Sequence, residues 1–315
     1  MPDPQRSDRY RTVDVPVRGG KQRVGLWEPV SGAAEARDIA DSPTILAIHG
    51  VTASHRCWDM LAAALPGYRL ITPDLRGRGR SNTLPGPYGM AQHADDMADV
   101  LDFLGVPQAL VVGHSMGGFV SVMFAHRHAG RVASVLLVDG GMPLRMPDGM
   151  TIDSLIAALG PAADRLSMTF PDFEAYRNFW RVHPAFVDSW NQAVTNYIDY
   201  DLVGIPPELH PATPIAAMTA DIPDQYGTDI MLEAVANLPA PTIFLRAPLG
   251  FLNDPPGIYT PDWIHHWQEQ LPALDVREIE GVNHYTIVFT DLGVAAVKDA
   301  VRTIFLRRLF VYSDE

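Results

Sequence analysis

Cysteine is nearly absent: Cys57 is the only one in 315 residues. An internal disulfide is therefore excluded, and a zinc–thiolate centre lacks its partners. Cys57 stands beside Trp58 in an apolar helical stretch, which predicts a packing role. Charge is sparse as well. Charged residues make up 19% of the chain against 47% hydrophobic ones, which argues against long disordered tracts and for one large core or two modest ones. No apolar run approaches the length of a membrane span. Lys and Arg number 24 against 37 Asp and Glu, for a net charge of −13, and no basic run exists. A face that grips nucleic acid is thereby excluded, and anionic substrates are mildly disfavoured. The opening MPDPQRSDRY lacks the apolar middle of a secretory signal, so a cytoplasmic location is expected. No phosphate loop or nicotinamide fingerprint occurs, and neither metal nor organic cofactor is expected.

What the chain does contain is a repeating texture. Val13, Val15 and Val17 alternate, Arg18 to Lys21 turn, and Val24 and Leu26 resume, which predicts an antiparallel hairpin. After Pro43, short apolar runs alternate with helical patterns. Strands are expected at 45–48, 70–72, 110–112 and 135–138, with helices over 54–65, after Gly89 and from Gly117. Fully apolar runs of this length are strands buried on both faces, so the fold class is α/β with a mostly parallel sheet flanked by helices. Beyond Asp139-Gly140-Gly141 the alternation stops. Residues 142–238 are rich in proline and aromatics and read as an inserted helical cap on a core made of 1–141 and 239–315. The sheet pattern returns at 242–245 and 276–279, and a last helix follows Asp291, read as its N-cap.

Three loops carry chemistry. Gly113-His114-Ser115-Met116-Gly117-Gly118 directly follows an apolar strand and precedes a helix. A serine at such a sharp turn is exposed at the carboxyl edge of the sheet, with flanking glycines to let the turn close. Ser115 is the candidate nucleophile. His49-Gly50-Val51 leaves an earlier strand, so the amides of Val51 and Met116 could form an oxyanion hole; His49 itself reads as a loop brace. Gly281-Val282-Asn283-His284 follows the last strand, where a histidine can reach Ser115 and serve as general base. His93, His126, His128, His265 and His266 read as lying on helices or at a helix end, and His183 and His210 lie in the insertion.

In that order, with Pro73-Asp74-Leu75-Arg76-Gly77-Arg78-Gly79-Arg80-Ser81 between them, these segments resemble the α/β-hydrolase superfamily, in its lipase/esterase-like branch with a helical cap. The likeness runs over nearly the whole chain. It implies that Asp74 and Arg76 brace a loop. It also implies a third triad member after the strand that follows the cap. The first carboxylate there is Asp254, which arrives about three residues later than the family pattern. Asp139, ending an earlier strand, is the rival position, with Asp262 as an outsider. The expected triad is thus Ser115, His284 and Asp254.

A serine nucleophile implies a carboxylic ester or lactone hydrolase and sets aside the relatives that use aspartate there. The cap's Trp180, Phe186 and Trp190 are candidate substrate-binding residues for an apolar small molecule, although such rings also suit the cap's own core. A non-catalytic small-molecule receptor and a cofactor-free carbon–carbon hydrolase or perhydrolase are the alternatives.

Overall fold

The alternating valines form the expected hairpin: β1 (Tyr10–Val17) pairs antiparallel with β2 (Gly20–Trp27). The structure is a computed structural model and describes residues 8–30, 43–146, 149–151, 154 and 164–311. Most of the polar opening segment, residues 1–7, lies outside the described residues, as do 147–148, 152–153 and 155–163 of the insertion. Further along come β3 (Thr44–Ile48), β4 (Arg69–Pro73), β5 (Ala109–His114) and β6 (Val132–Val138). A small hairpin of β7 (Leu202–Ile205) and β8 (Glu208–Pro211) precedes β9 (Thr242–Arg246) and β10 (Leu274–Glu278). The main sheet has eight strands in the order β1-β2-β4-β3-β5-β6-β9-β10. From β4 to β10 every neighbouring pair is parallel.

Period-two alternation divides the core between two layers. Ile45, Ala47, Leu110, Val112, Leu136 and Val138 point to one face, where helices Asp59–Ala64 and Asp291–Val311 pack with Leu61, Val297 and Val301. Leu46, Ile48, Val111, Val135 and Leu137 point to the other, against helices Met90–Phe103, Met116–Arg127 and Pro261–Gln270. Cys57 is buried in the first layer, the packing role its setting predicts. The last helix differs in its cap: the Thr290 hydroxyl accepts from the Gly293 amide at 3.3 Å. Asp291 is the first helical residue instead, where its negative charge meets the positive end of the helix dipole.

The stretch between β6 and β9 is not wholly helical. Helices Phe173–Arg181 and Gln192–Asp201 are followed by the β7–β8 hairpin, a pair too short and too exposed to give a buried apolar run, and then by helix Ile215–Asp221. Its last helix, Asp229–Ala236, packs Met231, Ala234 and Val235 into the core layer of helix Met116–Arg127. No helix among the described residues is long and apolar enough to cross a membrane.

Candidate active site

Strand β5 passes into helix Met116–Arg127 through Ser115, whose backbone sits at φ 55°, ψ −126°. Few residues other than glycine adopt a positive φ, and such outliers collect at functional turns. The flanking glycines are sterically required. A Cβ on Gly113 would lie 2.2 Å from the Gly117 carbonyl oxygen, and one on Gly117 would lie 2.1 Å from that of Ile48. The turn therefore presses the helix start against the end of β3. Gly50, on the loop leaving β3, completes the approach: a Cβ there would stand 3.0 Å from Ser115 Cβ and 3.3 Å from its Oγ. Val51, the next residue, shares with Ser115 the lining of one cavity, and Met116 begins the helix.

His284 is fixed by its backbone. Its amide donates to the Leu249 carbonyl at 3.0 Å, and its carbonyl accepts from His114 Nε2 at 2.8 Å. The Asn283 side chain accepts from the amides of Tyr285 and Thr286 at 2.9 and 2.8 Å, starting the short helix Thr286–Phe289. The imidazole Nδ1 lies 2.7 Å from Asp139 Oδ2, with both side chains buried. Asp139 is a second non-glycine residue at positive φ, 46°. Its other oxygen accepts from the Ala247 amide at 3.1 Å, so the carboxylate is held on both sides.

The expected acid, Asp254, is not there. After β9, the Ala247 amide is spent on Asp139 and Leu249 bridges to Asn283. The chain then turns through Gly250, whose amide donates to the Asp254 carbonyl, and Asp254 is left exposed. Phe251 from the same turn packs its ring against His284, centroids 4.5 Å apart, so that segment gives the imidazole an apolar contact instead of a carboxylate. Asp262 is exposed and pairs with Arg145. One signal in the sequence could have favoured Asp139: the glycine after it. A Cβ on Gly140 would lie 2.1 Å from the Ser115 carbonyl oxygen, so Asp-Gly-Gly after β6 marks a strand end seated against the serine turn.

His49 braces its loop as its position suggests. Nδ1 donates to the Gly50 carbonyl at 2.8 Å and Nε2 accepts from the Leu75 amide at 2.9 Å, a neutral-ring arrangement tying the loop after β3 to that after β4. Burial pushes its pKa down to about 4. Burial, with His284 alongside, pushes His114 down to about 3. Asp74 and Arg76 hold the loop after β4. Asp74 accepts from the amides of His55 and Arg80, and Arg76 makes a two-pronged ion pair with buried Asp96.

A cavity of about 60 Å³ opens at Ser115. Its walls include Phe119, Leu144, Ile222, Tyr226, Phe251 and Ile258, none of which carried a signal in the sequence except Phe119, one helical turn beyond Ser115. Trp180, Phe186 and Trp190 are not among its lining residues. Trp180 and Phe186 are fully buried with ring centroids 5.6 Å apart, in the aromatic cluster joining the insertion to Tyr285 and Phe289. Trp190 is half-buried, under the Arg181 guanidinium. Trp180 and Phe186 thus pack the stretch between β6 and β9 against Tyr285 and Phe289, as large apolar surfaces do when they can find each other.

With this geometry in view, known proteins give it a context. The alpha/beta hydrolase fold family model matches residues 43–177. An uncharacterized protein of Mycobacterium tuberculosis is 35% identical over 128 residues, 40% of this chain and 38% of its own length. The alignment thus spans well under half of that relative. A putative carbamate hydrolase of Variovorax paradoxus is 28% identical over 216 residues, 68% of this chain and 76% of the relative. Among solved structures, that of E-2-(acetamidomethylene)succinate hydrolase superposes with a TM-score of 0.75 at 19% identity, over 93% of this chain and 99% of that one. The strand order, the strained serine turn after β5 and these matches agree that the chain has the α/β-hydrolase fold, with the family model covering residues 43–177.

Proposed function

We propose that this chain is a serine hydrolase that cleaves carboxylic esters or lactones of small apolar molecules. Ser115 is the nucleophile, His284 the general base and Asp139 the carboxylate that orients it. The observation that carries this reading is the 2.7 Å contact between His284 Nδ1 and Asp139 Oδ2 beside a serine held at positive φ. A carboxylate on Nδ1 fixes that nitrogen as the N–H, which leaves Nε2 with a lone pair for the serine proton.

The steps balance as two acyl transfers. Oγ attacks the ester carbonyl while Nε2 takes its proton, and the amides of Val51 and Met116 receive the negative oxygen. The imidazolium, stabilised by Asp139, then protonates the departing alcohol. Water, deprotonated by the same Nε2, attacks the acyl-enzyme; collapse returns the proton to Ser115 and frees the carboxylic acid. The described residues between β6 and β9 act as a roof over the site, a role supported by Leu144, Ile222 and Tyr226 in the cavity wall. The apolar lining favours a neutral acyl group.

The test is a panel of p-nitrophenyl esters, lactones, carbamates and vinylogous diketones on purified protein, with a fluorophosphonate probe and Ser115→Ala as control. Ester turnover with labelling confined to Ser115 is expected, and the alanine variant should lose on the order of 10⁶-fold in kcat. Ligand binding without turnover or labelling would point instead to a receptor.

A further inference from the structure

We infer that Arg78 and Arg165 are positioning residues that pin the loop carrying the proposed oxyanion donor, each anchored by a carboxylate from the roof. The inference rests on the reading of Val51 as a donor. Arg78 Nε donates to the Val51 carbonyl at 2.9 Å. Arg165 Nη2 donates to the carbonyl of the next residue, Thr52, at 3.2 Å. The loop follows Gly50, which leaves its backbone intrinsically free. Two consecutive carbonyls held by two guanidinium groups remove that freedom where the direction of the Val51 amide has to be set.

Neither arginine is a surface charge that happens to reach inward. Both are almost completely buried, Arg78 at 0% and Arg165 at 1% exposure. Arg78 Nη1 pairs with Asp221 at 2.6 Å, and Asp221 also accepts from the Gly89 amide at 2.6 Å. Arg165 Nη1 pairs with Asp201 at 2.7 Å, and Asp201 also accepts the Tyr176 hydroxyl. Asp201, Asp221 and Arg165 itself all lie between β6 and β9. Arg78 comes from the loop after β4 and also approaches Met116, the second proposed donor, with Nη2 3.9 Å from its sulfur. A preorganised donor is worth far more in a transition state than one that has to be reoriented. The fork geometry matters: one guanidinium can satisfy a carboxylate and a carbonyl at once, which a lysine ammonium at the same place cannot do along both directions.

The experiment compares Arg78→Lys and Arg165→Lys, which keep the buried charge opposite Asp221 and Asp201, with Arg78→Gln and Arg165→Gln. Three readouts are taken: kcat and KM on the best ester, inhibition by a trifluoromethyl ketone that forms a tetrahedral adduct, and hydrogen exchange across residues 50–53. The lysine variants should fold and lose about 10²-fold in kcat with KM changed less than about threefold. Ketone affinity should fall in parallel, and exchange at 50–53 should quicken. Unchanged kcat with unchanged exchange in folded lysine variants would overturn the inference while leaving Ser115 catalysis standing. A KM increase alone would overturn it too, because that is lost ground-state binding. If wild-type protein shows no Ser115-dependent turnover, the functional reading itself fails and takes the positioning role with it.

Discussion

Asp139 Oδ2 sits 2.7 Å from His284 Nδ1, across 145 residues of chain, and Asp139 Oδ1 accepts the amide of Ala247. The carboxylate that meets the imidazole therefore comes from β6, and the strand after the insertion contributes a backbone donor to it.

Asp139→Asn should leave a folded protein and lower kcat about 10⁴-fold. The amide oxygen can still accept from Ala247, which turns the NH₂ group toward His284 Nδ1. That nitrogen then becomes an acceptor, the proton moves to Nε2, and the serine proton has nowhere to go. Asp254→Asn, at an exposed turn, should retain near-wild-type turnover. Kinetics and melting curves on both variants check this; a dead Asp254→Asn beside an active Asp139→Asn would reverse the assignment.

Gly50→Ala and Gly117→Ala should separate chemistry from folding. The new methyl at 50 meets Ser115 Cβ at 3.0 Å and crowds that side chain, so activity should fall on the order of 10²-fold with little change in melting temperature. At 117 the methyl meets the Ile48 carbonyl oxygen at 2.1 Å, where only backbone can yield. Soluble expression and thermal stability should collapse there. Equal melting temperatures for the two variants would contradict this account.

Trp180→Ala should cost about 3–5 kcal/mol of stability and leave the acyl preference of any surviving activity unchanged. Ile222→Ala and Phe119→Ala enlarge the cavity at Ser115 and should shift the preference toward longer or bulkier acyl groups. Chain-length profiles of kcat/KM, set beside urea midpoints, distinguish the two classes of residue.

His49 and His114 predict acid lability. Burial holds their folded values at about 4 and about 3, below an unfolded value near ~6.5. Between those limits the unfolded chain binds the extra protons, so stability is full above ~6.5 and falls as pH drops toward 4. Each ring contributes at most about 1.4 kcal/mol per pH unit in that window. Urea midpoints at several pH values from 6.5 to 4.5 should decline, and His114→Gln, which keeps a donor for the His284 carbonyl, should make the decline shallower. A flat profile would remove the argument.

Local chemistry made much of this protein readable in advance. Apolar runs too short for helices gave the parallel strands, because only a doubly covered sheet buries them. Glycines on either side of Ser115 gave the turn, because no Cβ fits there. The position of His284 after the last strand gave its loop. The β7–β8 hairpin left no such trace, since its strands are short and largely exposed, and a histidine brace at 49 was legible only as a role, without its partner Leu75.

The sequence by itself thus determined the layers, the serine turn and the loop of His284, all of which depend on neighbours a few residues apart. The tertiary structure alone decided which carboxylate faces His284, which side chains line the cavity and which arginines reach the Val51–Thr52 loop. Asp139 and Asp254 both stand near the carboxyl ends of strands that lie side by side in the sheet, and composition cannot rank them. What ranks them is three-dimensional: the positive φ of Asp139 and the seat of Gly140 against Ser115 direct one carboxylate inward, while the turn at Gly250 carries the other into solvent. Likewise Trp180, suited by chemistry to a ligand or to a core, packs against Tyr176, Phe186 and Tyr285, because mutual burial of large rings is available on folding without any ligand.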